Sequence, residues 1–282
     1  MFQFIKMQGA GNDFIVINNM KLKINVESLP SIARNLCQRR ISVGANALMV
    51  MDFPEQDGDF KMRFYNSDGT IAEMCGNGAR CIARYAYDEG FAGENMIIET
   101  PAGYVYANKI NDSIYKIKLN NPSQLRLNLN IEIDSNNYIC DYIELGSPGI
   151  PHVVIKYEGL VKTSDDQIYD LGKKIRNYKE FLKGANVNFY DITEENKIIV
   201  KTFERGVEEF TLACGTGSGA VALSTALKNE VNRNSQIEVT VPGGTLYIDI
   251  DFLENSNEIY GLYLSGETKV VYHGTITDEI II

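Results

Sequence analysis

Histidine is almost absent from this chain, with only His152 and His273. No CxxC pair occurs, so neither a His cluster nor a Cys cluster suggests structural zinc. Basic runs are absent too, and the net charge of −10 argues against a nucleic-acid surface. No apolar stretch approaches the length of a membrane span. The five cysteines, Cys37, Cys75, Cys81, Cys140 and Cys214, are odd in number and scattered, which is no disulfide framework. There is no GxGxxG, no pyridoxal-type lysine motif and no metal motif, so no cofactor and no metal is expected. Met1 to Lys6 lacks the n-region and h-region of a signal peptide, and a cytoplasmic protein is expected. What is left is 282 residues, 44% hydrophobic and 23% charged. That is a globular composition, long enough for one large domain or two ordinary ones.

Sliding the sequence on itself aligns three segments. Gly11-Asn12-Asp13-Phe14-Ile15-Val16-Ile17 matches Gly149-Ile150-Pro151-His152-Val153-Val154-Ile155. Cys75-Gly76-Asn77-Gly78 matches Cys214-Gly215-Thr216-Gly217, and Pro101-Ala102-Gly103-Tyr104 matches Pro242-Gly243-Gly244-Thr245. The offset stays near half the chain in all three. Coincidence among Gly-rich turns is the competing explanation, and a constant order and offset speak against it. The expected fold is α/β (α+β), with two pseudo-symmetric lobes. Each is a mixed or antiparallel sheet wrapped around a central buried helix, with the active site in the cleft between them. The N-terminal lobe is expected over 1–120, joined by the terminal strand 266–282, and the C-terminal lobe over 121–265.

Local patterns supply the elements. Phe2 to Phe4 and Phe14 to Ile17 read as strands around the turn at Gly9 to Asn12. Ser28 to Arg40 reads as a helix with Pro30 in its first turn, and Cys37 on it as a buried small hydrophobe. Leu48 to Phe53 and Phe60 to Tyr65 are strands, followed by the turn Asn66-Ser67-Asp68-Gly69. A helix runs from Cys75 to about Glu89, stopped by Gly90. Ile97 to Thr100, Tyr104 to Lys109 and Tyr115 to Leu119 are strands. Asn120 to Asn137 is polar and reads as the changeover between lobes. Tyr142 to Leu145 and Val153 to Tyr157 open the second lobe, and Ser164 to Tyr178 is a helix capped by Ser164. Val187 to Tyr190, Ile198 to Phe203, Ile237 to Val241, Thr245 to Ile250 and Ile259 to Leu264 are strands. The helix after Cys214 is apolar nearly all round, hence buried. His273 reads as a turn residue, and Ile276 to Ile282 ends the chain.

The chemistry points to the two Cys-Gly-x-Gly turns. Each Cys opens a helix, where unpaired N–H groups attract anions and favour a thiolate. Glycines at matching offsets admit close backbone approach. Two thiols on opposite faces of one carbon invert a stereocentre, one removing a proton as the other donates. Gly76, Asn77, Gly215 and Thr216 supply N–H donors for charge moving onto a carboxylate. The competing reading, two inert buried cysteines, fits Cys81 and Cys140 better. Glu204-Arg205 suits an ammonium and a carboxylate, although a solvated pair at a strand end is the commoner case. His152 lies at the repeat-equivalent of the Gly11-Asn12 turn and is expected to line the cleft. Asn12 is as readily explained by its turn as by a ligand.

Lys6-Met7-Gln8-Gly9-Ala10-Gly11-Asn12-Asp13-Phe14, both Cys turns, Glu204-Arg205-Gly206, Pro242-Gly243-Gly244 and Gly266-Glu267 together resemble the diaminopimelate epimerase family. The resemblance runs nearly end to end. It implies two similar α/β lobes and cofactor-independent interconversion of LL- and meso-diaminopimelate, on the route to lysine and peptidoglycan. It implies Cys75 and Cys214 as the acid/base thiols, with Gly76, Asn77, Gly215 and Thr216 holding the reacting carboxylate. It further implies Asn12, Asn66, Asn186, Glu204 and Arg205 as substrate-binding, the last four mainly at the distal amino-acid end, and His152 and Glu204 as groups that tune the thiols. The partner is a small amino-acid substrate, with no nucleic acid and no membrane; a homodimer is left open.

The chain departs from the family pattern at Gly44-Ala45-Asn46-Ala47, at Ile150 and in a spacer one residue longer at Gly206 to Ala213. These positions belong to the pocket wall. They leave room for a racemase of another amino acid, such as lanthionine or histidine, or for a non-catalytic relative of the same fold. If two sulfurs flank one small carbon, an empty site brings them into disulfide range. Oxidant is therefore expected to abolish activity and reductant to restore it, measured by turnover before and after each treatment. Indifference to oxidant would contradict the shared carbon.

Overall fold

The structure, a computed structural model, describes residues 1–72, 74–254 and 256–281. Glu73, next to the first Cys turn, and the terminal Ile282 lie outside the described residues, as does Asn255. The chain divides into two compact units, Met1–Ile117 with Ser265–Ile282, and Lys118–Leu264.

The first unit begins with β1 (Phe2–Gly9) and β2 (Asn12–Asn18). Ala10 and Gly11 join them with φ of 49° and 84°. Two left-handed residues make the tight turn whose twist matches paired strands. Next come α1 (Asn19–Leu22), α2 (Leu29–Leu36), β3 (Ala47–Asp52), β4 (Phe60–Asn66), α3 (Gly76–Asp88), β5 (Asn95–Thr100), β6 (Gly103–Lys109) and β7 (Ile114–Leu119). Pairing runs antiparallel from β1 to β2, parallel to β3, antiparallel to β4, parallel to β5 and antiparallel to β6. Helix α3 packs on β1, β2, β3, β5 and β6, so the sheet curls around it. Its Ala79, Ile82, Ala83 and Ala86 are fully buried. Small side chains let strands approach a helix on several sides at once.

The second unit carries β8 (Pro122–Ile133), β9 (Asn136–Leu145), β10 (Ile150–Lys156), α4 (Asp165–Arg176), β11 (Asn186–Glu194), β12 (Lys197–Glu204), β13 (Glu209–Thr211), α5 (Gly215–Leu227), β14 (Ile237–Val241), β15 (Gly244–Phe252) and β16 (Ile259–Glu267). Here the order from β9 is antiparallel to β10, parallel to β11, antiparallel to β12, parallel to β14 and antiparallel to β15. That is the sequence of pairings found from β1 to β6, with α5 in the place of α3. Helix α5 is buried from Gly217 to Ala226 and touches β9, β10, β11, β12, β14 and β15. The chain then returns as β17 (Lys269–Ile276), antiparallel to β1, and ends in the short α6 (Asp278–Ile281).

The segment expected as a polar changeover, Asn120 to Asn137, is mostly strand. β8 pairs with β9 from Pro122↔Leu145 to Ile133↔Asn136. Two register shifts and a left-handed Asn128 (φ 56°) break its alternation, and only Ile131 and Ile133 in it are buried. Helix α2 is shorter than the expected span to Arg40. It stops at Leu36 because the returning chain takes its last carbonyls: Gly44 N donates to Leu36 O (2.9 Å) and Ala45 N to Cys37 O (3.1 Å). His273 is not in a turn but in β17, opposite Ile5. Cys37, Cys81 and Cys140 are buried free thiols, raised by burial to about 11, 12 and 12. Among the described residues no helix is long and apolar enough to cross a membrane.

A Cβ at Gly217 would run into Asn188 Oδ1, an amide held by several hydrogen bonds. At Gly219 it would come within 2.8 Å of Leu119 Cδ1, the end of a flexible side chain. Gly217→Ala is therefore expected to destabilise by about 2 kcal/mol. Gly219→Ala should stay near neutral, the helix-propensity gain of about 1 kcal/mol offsetting a displaced methyl. Urea unfolding of both variants checks this, and equal effects would contradict it.

Candidate active site

In the first unit Cys75 is the residue before α3, with extended backbone (φ −135°, ψ 118°), and its carbonyl accepts from Ala79 N at 2.8 Å. A residue in this place holds its side chain beside the first helix N–H groups, here those of Gly76 and Asn77, which have no partner within the helix. The Asn77 side chain is buried. Its Nδ2 donates to Asn12 Oδ1 (2.5 Å), and its Oδ1 accepts from Arg80 Nη2 (2.9 Å). Asn12 starts β2. One residue pair further, Phe14 faces Ala47, and Ala47 faces Asn66 at the end of β4. Asn66 thus stands at the same end of the sheet, its Nδ2 on Thr70 Oγ1 at 3.0 Å. The sequence-expected residues of this unit, Asn12, Asn66, Cys75, Gly76 and Asn77, all gather at one end.

The second unit repeats the arrangement with other side chains. Cys214 precedes α5 (φ −117°, ψ 105°), and its carbonyl accepts from Ser218 N (2.9 Å) and Ser218 Oγ (3.1 Å). Its Sγ lies 3.6 Å from Thr216 Oγ1. His152 on β10 pairs with Asn186, the first residue of β11. Asn186 Oδ1 accepts from Arg205 N (2.9 Å), which ties the start of β11 to the turn after β12. Arg205 Nη1 donates to Lys183 O (3.0 Å), and Glu204 accepts from Thr211 Oγ1 (2.9 Å). Burial pushes the Glu204 carboxyl above its usual range, and the Thr211 hydrogen bond offsets part of this.

His152 is wholly buried, and burial, with a smaller push from Arg205, lowers it to about 3. Its Nδ1 faces Asn188 Nδ2 at 3.3 Å. Asn188 Nδ2 also donates to Val153 O (3.0 Å), which fixes it as the donor, so Nδ1 accepts and the neutral ring carries its proton on Nε2. Among the described residues Nε2 has no partner.

Residues 4–119 and 146–271 match the family model described as diaminopimelate epimerase. The chain belongs to the diaminopimelate epimerase family. It is 37% identical over 288 residues to the diaminopimelate epimerase of Aquifex aeolicus, covering 99% of each chain. With that of Archaeoglobus fulgidus it shares 37% over 283 residues, covering 97% of this chain and 95% of the other. In fold it is similar to a phenazine biosynthesis protein of the PhzF family from Bacillus anthracis, with TM-score 0.75 at 14% identity over 98% and 99% of the two chains. It is also similar to a hydroxyproline epimerase from Agrobacterium vitis, with TM-score 0.71 at 13% identity over 98% and 90%. Strands β8 and β9 both fall between the two segments that match the diaminopimelate epimerase family model.

Three polar groups here went unnoticed in sequence. Arg80 is the one charge among small apolar residues on the buried part of α3. Asn188 interrupts the apolar run Val187 to Tyr190. Glu144 is buried on β9, where burial pushes its carboxyl up but Tyr142, Lys183 and Arg205 outweigh that and hold it below its usual value. A polar residue at a core position of a periodic apolar segment was the available signal.

The buried imidazole sets a pH dependence. Between about pH 3 and 6.5 the unfolded chain binds a proton at His152 that the folded protein does not. Stability gained from this group is present above 6.5 and is lost as pH falls toward 3, with a limiting slope of about 1.4 kcal/mol per pH unit. His152→Gln is expected to flatten the stability profile across that window relative to wild type, measured by chemical unfolding at a series of pH values. Parallel profiles would mean that the folded protein protonates this ring.

Proposed function

We propose that this chain interconverts LL- and meso-diaminopimelate without a cofactor, in the cytoplasm, supplying precursors of lysine and peptidoglycan. The observation that carries the reading is a pair of thiols, Cys75 and Cys214, each in the residue before the first turn of an equivalent buried helix. Family membership over nearly the whole chain supports it.

In this mechanism one sulfur, as thiolate, takes the α-proton, and the other, as thiol, returns one to the opposite face of the same carbon. The electron pair left on the α-carbon spreads onto the carboxylate. The N–H groups of Gly76, Asn77, Gly215 and Thr216 stabilise that charge from fixed positions, so little reorganisation accompanies the step. Helix N-termini also favour the thiolate that starts it. The buried Nε2–H of His152 provides a further donor. At the far amino-acid end Arg205 suits a carboxylate and Glu204 an ammonium, with Asn186 tied to Arg205 by its side-chain oxygen, and the family resemblance assigns Asn66 to the same substrate end.

Incubation with the LL isomer in deuterated water should label the α-carbon and yield meso product. Cys75→Ser and Cys214→Ser should each lower the rate by about a thousandfold or more while leaving the thermal unfolding midpoint close to wild type. Arg205→Ala should raise KM for two-ended substrates specifically. Formation of meso product at the wild-type rate in either variant would overturn the two-thiol reading.

A further inference from the structure

We infer that Arg80 is a buried positioning residue for Cys75, whose guanidinium sets the direction of the Asn77–Asn12 hydrogen-bond chain and supplies a fixed positive charge within electrostatic reach of the Cys75 sulfur. This rests on the reading of Cys75 as an acid/base thiol.

Arg80 is 0% exposed, and among the described residues no carboxylate pairs with it. A guanidinium stays charged in a protein interior, so enclosing one without a counter-ion is costly and demands a reason. Its Nη2 donates to Asn77 Oδ1 (2.9 Å), its Nη1 reaches Gly76 O at 3.5 Å, and among the described residues its Nε has no partner. Gly76 and Asn77 are the first two residues of α3, directly after Cys75. Strand β1 closes the other side at Gly9, where a side chain would meet Cys81 Sγ at 3.2 Å and Asn77 O at 3.4 Å. The absent side chain at Gly9 lets the first turn of α3 and the guanidinium lie against the sheet.

The direction of the chain follows from the donor inventory. Arginine only donates, so Asn77 must turn Oδ1 toward it and Nδ2 away. Asn77 Nδ2 then donates to Asn12, which must offer Oδ1. Asn12 is left with its Nδ2–H groups for a ligand. Together with the N–H groups at the start of α3 this end presents donors, which suits a carboxylate and not an ammonium. An amide pair without the guanidinium has no such preference and flips freely between the two arrangements.

The charge acts on the sulfurs around it. Cys81 and Cys75 are the two groups whose ionisation the guanidinium favours most directly, and burial opposes this at Cys81, which stays a thiol. Cys75 is only half-buried and sits beside the helix-start N–H groups of α3, so burial opposes the charge less there than at Cys81.

The test reads the thiolate without turnover. In a Cys214→Ser background, the rate of iodoacetamide modification at Cys75, located by mass spectrometry, is followed against pH. R80M should move the midpoint up by about one unit or more. R80K, which keeps the charge, should hold it close to the parent. With Cys214 intact, R80M should lower kcat about a hundredfold, and R80K should recover part of it. Should R80M not fold, R80Q keeps a donor for Asn77 and drops the charge, and carries the same expectation for the midpoint. A folded R80M or R80Q with the parent's midpoint overturns the assignment. If wild type fails to exchange the α-proton, the proposed function falls while the midpoint comparison still stands, so the two failures are distinguishable.

Discussion

A helix enclosed by a sheet has only its ends left for chemistry. In each unit of this protein the curled sheet takes up the sides of the central helix, and the sequence answers with alanine, glycine and small β-branched residues there. The N–H groups of the first turn cannot be satisfied within the helix. Both units place a cysteine directly before that turn. Strand register does the rest. Parallel and antiparallel pairings in one fixed order bring the starts of β2 and β3 and the end of β4 to the mouth of α3. They bring the starts of β10 and β11 and the end of β12 to the mouth of α5. The candidate residues are gathered by the sheet, not by proximity in sequence.

The backbone repeats but its polar interior does not. At the repeat-equivalent of Arg80 stands Gly219, packed near Leu119 and Leu262. At the equivalent of His152 stands Phe14, whose ring meets Phe64 at 6.0 Å. One helix start therefore has a guanidinium behind it. The other has the neutral network of His152, Asn188 and Thr202, with Thr202 Oγ1 on Asn188 Oδ1 at 3.0 Å. On the proposed function, two thiols used as an acid and a base at one carbon have to begin a turnover in opposite protonation states. On that reading, symmetric scaffolding with a charge behind one thiol and a neutral network behind the other is a direct way to bias which one ionises.

The features that were legible in sequence are those with a local signature. The Cys-Gly-x-Gly turns, Asn66 to Gly69 and the apolar helix after Cys214 each declare themselves within ten residues, and the half-chain repeat follows from comparing such segments. Strand β8 was illegible because its pairing partner, not its own pattern, makes it a strand. Most of its side chains face water and bulges break its alternation. The end of α2 was set by Gly44 and Ala45 returning to its carbonyls, a contact that periodicity cannot anticipate. His273 was misread because Gly274 beside it signals a turn, whereas the chain there runs extended against β1, and a Cβ at Gly274 would meet Phe4. Arg80 and Asn188 were visible as polar letters in apolar runs, yet only coordinates reveal what they hold.

The two helix mouths also differ in the signs of charge they carry, and this bears on what they hold. Around α3 stand the amides of Asn12, Asn66 and Asn77 with a guanidinium behind them. Around α5 stand Arg205, Lys183, Glu144 and Glu204, both signs together. Lys183 Nζ pairs with Glu144 at 3.0 Å, which among the described residues leaves Glu204 as the carboxyl of this group with no cation paired to it, and burial holds it above its usual range. On the proposed reading an arriving ammonium supplies that cation, and the ionised carboxylate it favours is then paired at the moment it forms. An amino acid with one head group has no ammonium to spare for this position once its own centre is being inverted. A substrate with a second amino-acid end does, and on the proposed function the energy of satisfying Glu204 and Arg205 together is then available to hold the reacting end in place.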